Sequence, residues 1–221
     1  MSPELLRLIL DATLDTLHMI AVAGGLGTLL GLPLGVFLAT SGKGELFAAS
    51  AVNAVLGVVV NITRSTPFII LVVAIVPFTR LIAGTSIGTS AAIVPLTVAA
   101  IPFIARIVEG AIREVDQGLV EAARAMGATP LQIVSKVLIP EALPAIILGL
   151  TLAAVSLIGF SAMVGAVGGG GLGDLGIRYG YQRFMPEVML IVVAVLVVLV
   201  QSVQTIGDRL SRHMNKRIRH I

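Results

Sequence analysis

Residues 188–200 read VMLIVVAVLVVLV, the heart of an uncharged stretch from Val188 to Gly207. A membrane β-strand alternates apolar and polar positions over about 10 residues, one face to lipid and the other to the lumen. This stretch does not alternate. Lipid supplies no hydrogen-bond partner to an open strand edge, so an apolar run that is not a barrel strand must satisfy its backbone as a helix. A bilayer core of about 30 Å needs roughly 20 such residues per crossing. The stretch therefore predicts one membrane-spanning helix over about 187–208.

The rest of the chain has the same character. Of its 221 residues 57% are hydrophobic and 12% charged, against about 25% charged in an ordinary soluble domain, and the mean hydropathy is +1.04. Four further spans are expected at about 14–40, 57–80, 88–108 and 142–167. The second is the hardest to bound. TPFIILVVAIVPFT (66–79) is too short alone, so this span is expected to begin a turn or two before Arg64. The fold class that follows is an all-α polytopic membrane protein, one transmembrane domain over residues 1–221 with five spans. Met1–Leu10 lacks a basic region, apolar core and small-residue cleavage site, so no cleaved signal peptide is expected. The chain has no cysteine, which excludes disulfides and thiolate metal sites.

Five spans put the two ends on opposite sides, and lysine and arginine favour the cytoplasmic side. Lys43 and Arg64 in the first connection, Arg106, Arg113, Arg124 and Lys136 in the third, and Arg209, Arg212, Lys216, Arg217 and Arg219 in the tail all fall on the side of the C-terminus. Only Arg7, Arg80, Arg178 and Arg183 fall on the other. The expected threading is N-terminus outside and C-terminus in the cytoplasm. The basic tail then reads as a flank attracted to anionic lipid headgroups, and without interleaved aromatics it suggests no nucleic-acid partner.

The connection over 109–141 is far longer than the roughly 2–8 residues that join neighbouring helices and must have structure of its own. Asp116 can cap a helix through LVEAARAM, Gly127 can end it in a left-handed conformation, Thr129 can cap a second helix and Pro130 fits that helix's first turn. Ala122, Ala123 and Ala125 make one side small, while Leu119, Val120 and Met126 supply apolar contacts. Two readings stand on these residues alone: a docking element for a partner, or an amphipathic elbow lying on the membrane or on its own bundle.

Glu121-Ala122-Ala123, three residues, Gly127, nine residues, then Val137-Leu138-Ile139-Pro140 is similar to the loop signature of permease subunits of ABC importers. The family more often has Ile and Leu where Val137 and Ile139 stand. The longer stretches TRSTPFIIL (63–71), VPFTRLIAGTSIG (76–88), AAIVPLTVAAIPFIARIVE (91–109) and EAARAMGATPLQIVSKVLIPEALP (121–144) resemble permeases of methionine importers. The resemblance implies a type I importer permease fold in a bacterial inner membrane, assembled as a homodimer with two cytoplasmic ATPase subunits and an extracytoplasmic methionine-binding protein. It implies that the loop is a coupling helix seated in the ATPase, which makes Glu121, Ala122, Ala123, Met126, Gly127, Ala128, Thr129, Pro130 and Pro140 the expected coupling interface. The translocation path between two subunits is expected along the fourth span, with Ser161, Met163 and Val164 as lining or gate residues.

The chain has no ATP-binding motif of its own. A phosphate-binding loop needs G-x-x-x-x-G-K-[ST]; the one Gly-Lys pair, Gly42-Lys43, is followed by Gly44 and preceded at the required distance by Phe37. ATP and magnesium are therefore expected on the partner ATPase, with no cofactor on this chain. A membrane-embedded enzyme is the rival class. Yet His18, His213 and His220 form no paired metal motif, and Ser161 in Gly159-Phe160-Ser161-Ala162 has no histidine on a later span to act as base. The Gly168–Gly171 run is read as a flexible helix exit. An ion-coupled carrier would place carboxylates inside spans, whereas here they are expected at span ends. Another amino acid or small polar solute is the alternative cargo to methionine.

Overall fold

The computed structural model describes residues 3–47 and 49–214, and every regular element among them is helical. In chain order these are α1 (Pro3–Thr40), α2 (Ser50–Ser65), α3 (Phe68–Ala74), α4 (Val76–Ala83), α5 (Thr89–Arg113), α6 (Gln117–Ala125), α7 (Pro130–Ile133), α8 (Ile139–Ala166), α9 (Gly171–Leu175) and α10 (Pro186–Met214). Wide π-helical turns occupy Val134–Leu138 and Gly176–Tyr181. The tail positions Lys216, Arg217, Arg219 and His220 lie outside the described residues.

The bundle is organised on α1 and α5, which run side by side in the same direction. Gly27, Gly31 and Gly35 recur every four residues along one stripe of α1, and small residues at that spacing let two helix backbones approach closely. A Cβ at Gly27 would stand 2.6 Å from the Ala100 Cβ, and one at Gly31 would stand 2.8 Å from the Ile101 carbonyl oxygen. Around this seam lie the buried side chains of Met19, Ala23, Leu96, Ile104 and Val108. Helix α8 packs antiparallel on α5, and α10 returns along α8, where the Ser211 hydroxyl donates to the Pro144 carbonyl at 2.9 Å. At the other end of the bundle α9 is tied to α1 by the Leu172 N–H donating to Thr16 Oγ1 at 2.9 Å.

Much of the outer surface is apolar. Helix α10 buries only Val188, Val192, Gly207 and Ser211, and leaves Leu190, Val193, Val197 and Val198 exposed. Contiguous apolar surface on this scale does not occur on a water-soluble monomer. Among the described residues four helices are long and apolar enough to cross a membrane, or five if α2 and α3 form one bent span.

That bent pair corrects the sequence reading. The expected span 57–80 is not one helix: α2 begins at Ser50, where Asn53 Nδ2 donates to the Leu38 carbonyl at 2.8 Å and the Ser41 hydroxyl at 3.0 Å. The chain then turns by 103° at Thr66–Pro67 into α3. Arg64 is counted above with the first connection, although the span is expected to begin a turn or two before it. It stands instead at the far end of α2, about 20 Å along the helix from Ser50 at 1.5 Å per residue.

The connection expected over 109–141 is also shorter than its charges suggested. Helix α5 continues to Arg113, because Glu109 is buried between Arg106 and Arg113, at 2.5 and 3.0 Å, and the cluster nearly neutralises itself along one helix face. From Pro130 the helix runs without interruption to Ala166. The second short helix is thus the foot of a long one.

Candidate functional site

The polar segment between α5 and α8 folds into a compact elbow held by local rules. Asp116 caps α6, its Oδ1 accepting from the Gly118 N–H at 2.8 Å. At the other end the Gly127 N–H donates to the Arg124 carbonyl at 2.9 Å and the Ala128 N–H to the Ala123 carbonyl at 3.0 Å, the pair of bonds that closes a helix on a left-handed residue. Gly127 is that residue, with φ 79°. No atom lies within 4 Å of where its Cβ would be, so the demand for glycine comes from the backbone and not from crowding. Two residues on, the Thr129 and Gln132 side chains cap each other's backbone N–H groups, and Pro130 fills the first turn.

The elbow has a seated side and an open side. Val120, Ala123, Ile133, Val134 and Leu138 are buried against Ile112 and Val115, which holds the turn firmly on the bundle. Facing out are Glu121, Ala122, Arg124, Ala125, Gly127, Thr129 and Pro130. Two large apolar side chains crown this surface, Met126 at 81% and Leu131 at 71% exposure. Rigid caps on both sides of the turn and an apolar apex are what a docking knob requires: the ordering entropy is already spent before a partner arrives.

Two expected interface residues are not on that surface. Ala123 is only 4% exposed, because it stands where α6 rests on the bundle and Ala128 packs over the same cluster. Its small size lets the elbow sit close to its own chain. Pro140 lies ten residues beyond Pro130 on one continuous helix, about 15 Å away at 1.5 Å per residue. It lines a cavity of about 300 Å³ between α5, α8 and α10. The wide turn just before it follows from its missing N–H and its ring, which break the i→i−4 ladder. Ala128 is half-buried beneath the apex. Leu131, by contrast, was not singled out in the sequence; its place one residue after the Thr129–Pro130 helix start is the signal that would have put it at the apex.

Along α8 the expected pathway residues divide. Ser161 is 2% exposed, and its hydroxyl donates to the Ile158 carbonyl at 2.7 Å. Val164, three residues on, is buried on the same side, and its carbonyl accepts from the Gly169 N–H. Both face the chain's own bundle. Met163 is 49% exposed and shares an open face with Leu148, Leu152 and Gly159. The sequence reading also passed over the Arg106–Glu109–Arg113 cluster, which ties α5 to α2: Arg106 Nη2 donates to Asn61 Oδ1 at 2.9 Å and the Gly57 carbonyl at 3.2 Å. Its signal was legible, since opposite charges three and four residues apart share a helix face.

A helical bundle with helices of membrane length, a helix pair bent by 103° and a capped elbow between α5 and α8 defines a membrane subunit of a transport system. The chain belongs to the family of binding-protein-dependent transport system inner membrane components, whose family model matches residues 31–220. It is 57% identical over 210 residues to the probable D-methionine transport system permease protein MetI of Vibrio cholerae serotype O1, covering 95% of this chain and 93% of that one. To the protein of the same description from Pasteurella multocida it is 48% identical, over 98% of this chain and all 100% of the relative. A solved structure of the MetNI methionine ABC transporter in an inward-facing conformation superposes with a TM-score of 0.95 at 50% identity, over 98% of this chain and 100% of that one. An amino acid ABC transporter with histidines, at 22% identity and TM-score 0.78, shares the fold.

Proposed function

We propose that this chain is the permease subunit of an importer for D- and L-methionine, working as a homodimer with two ATPase subunits and an extracytoplasmic methionine-binding protein. The observation that carries the reading is near-full-length identity to D-methionine permeases; the capped elbow supplies the physical means. In this reading the chain sits in a bacterial inner membrane with its N-terminus periplasmic and its C-terminus cytoplasmic, so that the elbow faces the ATPase. ATP and magnesium bind there.

Closure of the two ATPases on ATP draws the two elbows together. Met126 and Leu131 fill a pocket on the ATPase, Glu121 and Arg124 register the contact at its rim, and the caps at Gly127 and Thr129 keep the turn from yielding. The motion passes into α8, whose open face with Met163 lines the path between the two subunits, and the dimer opens outward to accept methionine. Hydrolysis resets it. The test is reconstitution with the ATPase and binding protein, followed by uptake of labelled methionine against a panel of amino acids. ATP-dependent, methionine-preferring uptake is expected. Uptake without ATP would favour an ion-coupled carrier, turnover by the isolated chain an enzyme, and preference for another solute would reassign the cargo.

A further inference from the structure

At the break between α2 and α3 a cavity of about 320 Å³ opens toward α5 and α8, at the lower end of the roughly 300–1,000 Å³ typical of small-molecule sites. Three phenylalanines, Phe68, Phe103 and Phe160, line it. The Phe68 and Phe160 rings are stacked with centroids 4.4 Å apart and an interplanar angle of 16°. The cavity lies at mid-depth of the bundle, since Ala99 and Phe103, which both line it, flank the centre of the 25-residue α5.

Arg64 lines the same cavity, and at that depth a cation is costly unless something answers it. Among the described residues it has no ion-pair or hydrogen-bond partner. The one carboxylate on α5, Glu109, is already engaged by Arg106 and Arg113. The carboxylate of a bound ligand would supply the counter-charge.

Two threonines complete the chemistry. The Thr63 hydroxyl donates to the Val59 carbonyl at 3.0 Å and the Thr66 hydroxyl to the Ile62 carbonyl at 3.1 Å. Their protons are spent, so their oxygens can only accept, which suits an ammonium group. Broken helices at mid-depth are where transporters build substrate sites.

We infer that this cavity is a substrate site within the membrane, taking a zwitterionic α-amino acid with an apolar side chain. Arg64 receives the carboxylate, the Thr63 and Thr66 oxygens receive the ammonium group, and the side chain lies against the phenylalanines, where a thioether gains further from contact with aromatic edges. That the amino acid is methionine rests on the function proposed above; the site itself does not.

The experiment uses the complete transporter in nanodiscs, without binding protein, and measures equilibrium binding of labelled methionine with competition by 3-(methylthio)propylamine, which lacks the carboxylate. In the unsubstituted protein methionine should outcompete the amine by about tenfold or more, the worth of a charge-assisted hydrogen bond. Arg64→Gln should abolish that discrimination and, in proteoliposomes supplied with binding protein and ATP, lower methionine uptake to a similar degree, with Arg64→Lys retaining part of both. Binding elsewhere in the complex is insensitive to these substitutions. Phe160→Ala, which leaves the charge in place, should shift preference from methionine toward the larger phenylalanine and guards against an Arg64 variant that fails to assemble. Unchanged discrimination and uptake in Arg64→Gln, or unchanged side-chain preference in Phe160→Ala, overturns the site. If methionine is carried but Arg64 is irrelevant, the site falls and the function stands. If a different apolar amino acid binds in an Arg64-dependent way, the site stands and methionine falls.

Discussion

The elbow around Gly127 and the break around Pro67 are both places where a helix stops and another begins, yet they are built on opposite principles. Every bond that shapes the elbow connects residues within five positions of each other: Asp116 to Gly118, Ala123 to Ala128, Thr129 to Gln132. The break has no side-chain cap on α3, and its surroundings come from far away in sequence, Phe103 and Phe160 among them. One is a self-contained turn presented outward, and the other exists only because other helices enclose it. Substitutions in the elbow should therefore damage coupling while sparing the bundle, and substitutions in the body should do the reverse.

The largest effect is expected at the α1–α5 seam. Gly31→Leu would force a side chain into the Ile101 carbonyl and the Ile104 side chain, costing about 3 kcal/mol or more as overpacking between two backbones; thermal unfolding in detergent should report a large drop in Tm with little folded protein recovered. Next comes Glu109→Gln, which leaves Arg106 and Arg113 facing each other without their carboxylate. Partial exposure of both arginines moderates the loss to about 2 kcal/mol, readable as a lower Tm without change in ATPase binding.

Gly127→Val tests the other half of the comparison. A β-branched residue at φ 79° costs about 1–2 kcal/mol, small for the whole fold but concentrated in the turn. Normal assembly with strongly reduced ATP-dependent uptake is expected, and full uptake in a well-assembled Gly127→Val complex would break the contrast. Smallest of all, Thr129→Ala removes one half of the mutual cap and should cost about 1 kcal/mol. Its readout is faster amide exchange over Leu131–Ile133 with the rest of the bundle unaffected.

The same contrast explains what could be read in advance. Asp116, Gly127, Thr129 and Pro130 declare their roles because capping is a property of a few adjacent residues. The all-helical class was equally plain, because uncharged runs of membrane length admit little else. Arg64 counts with a connection on charge alone, because a charge in an apolar chain reads as the edge of a span, whereas it lines a cavity that only the packing of α2, α3, α5 and α8 creates. Sequence alone does not separate Ser161 and Val164 from Met163, because α8 is apolar on every side and nothing in its pattern distinguishes the face toward the bundle from the face away from it. Size alone points Ala123 outward, although its smallness serves the seat beneath it.

The continuity of the helix from Pro130 to Ala166 bears on how force crosses the membrane. Met163 and the elbow share one shaft, separated by about 50 Å at 1.5 Å per residue. Tilting such a lever by about 5° displaces its far end by about 4 Å, with no relay of side-chain rearrangements between. The wide turn at Val134–Leu138, close to the foot, is where such a shaft can flex against its own base. Stiffening that fulcrum would alter the stroke without touching either end.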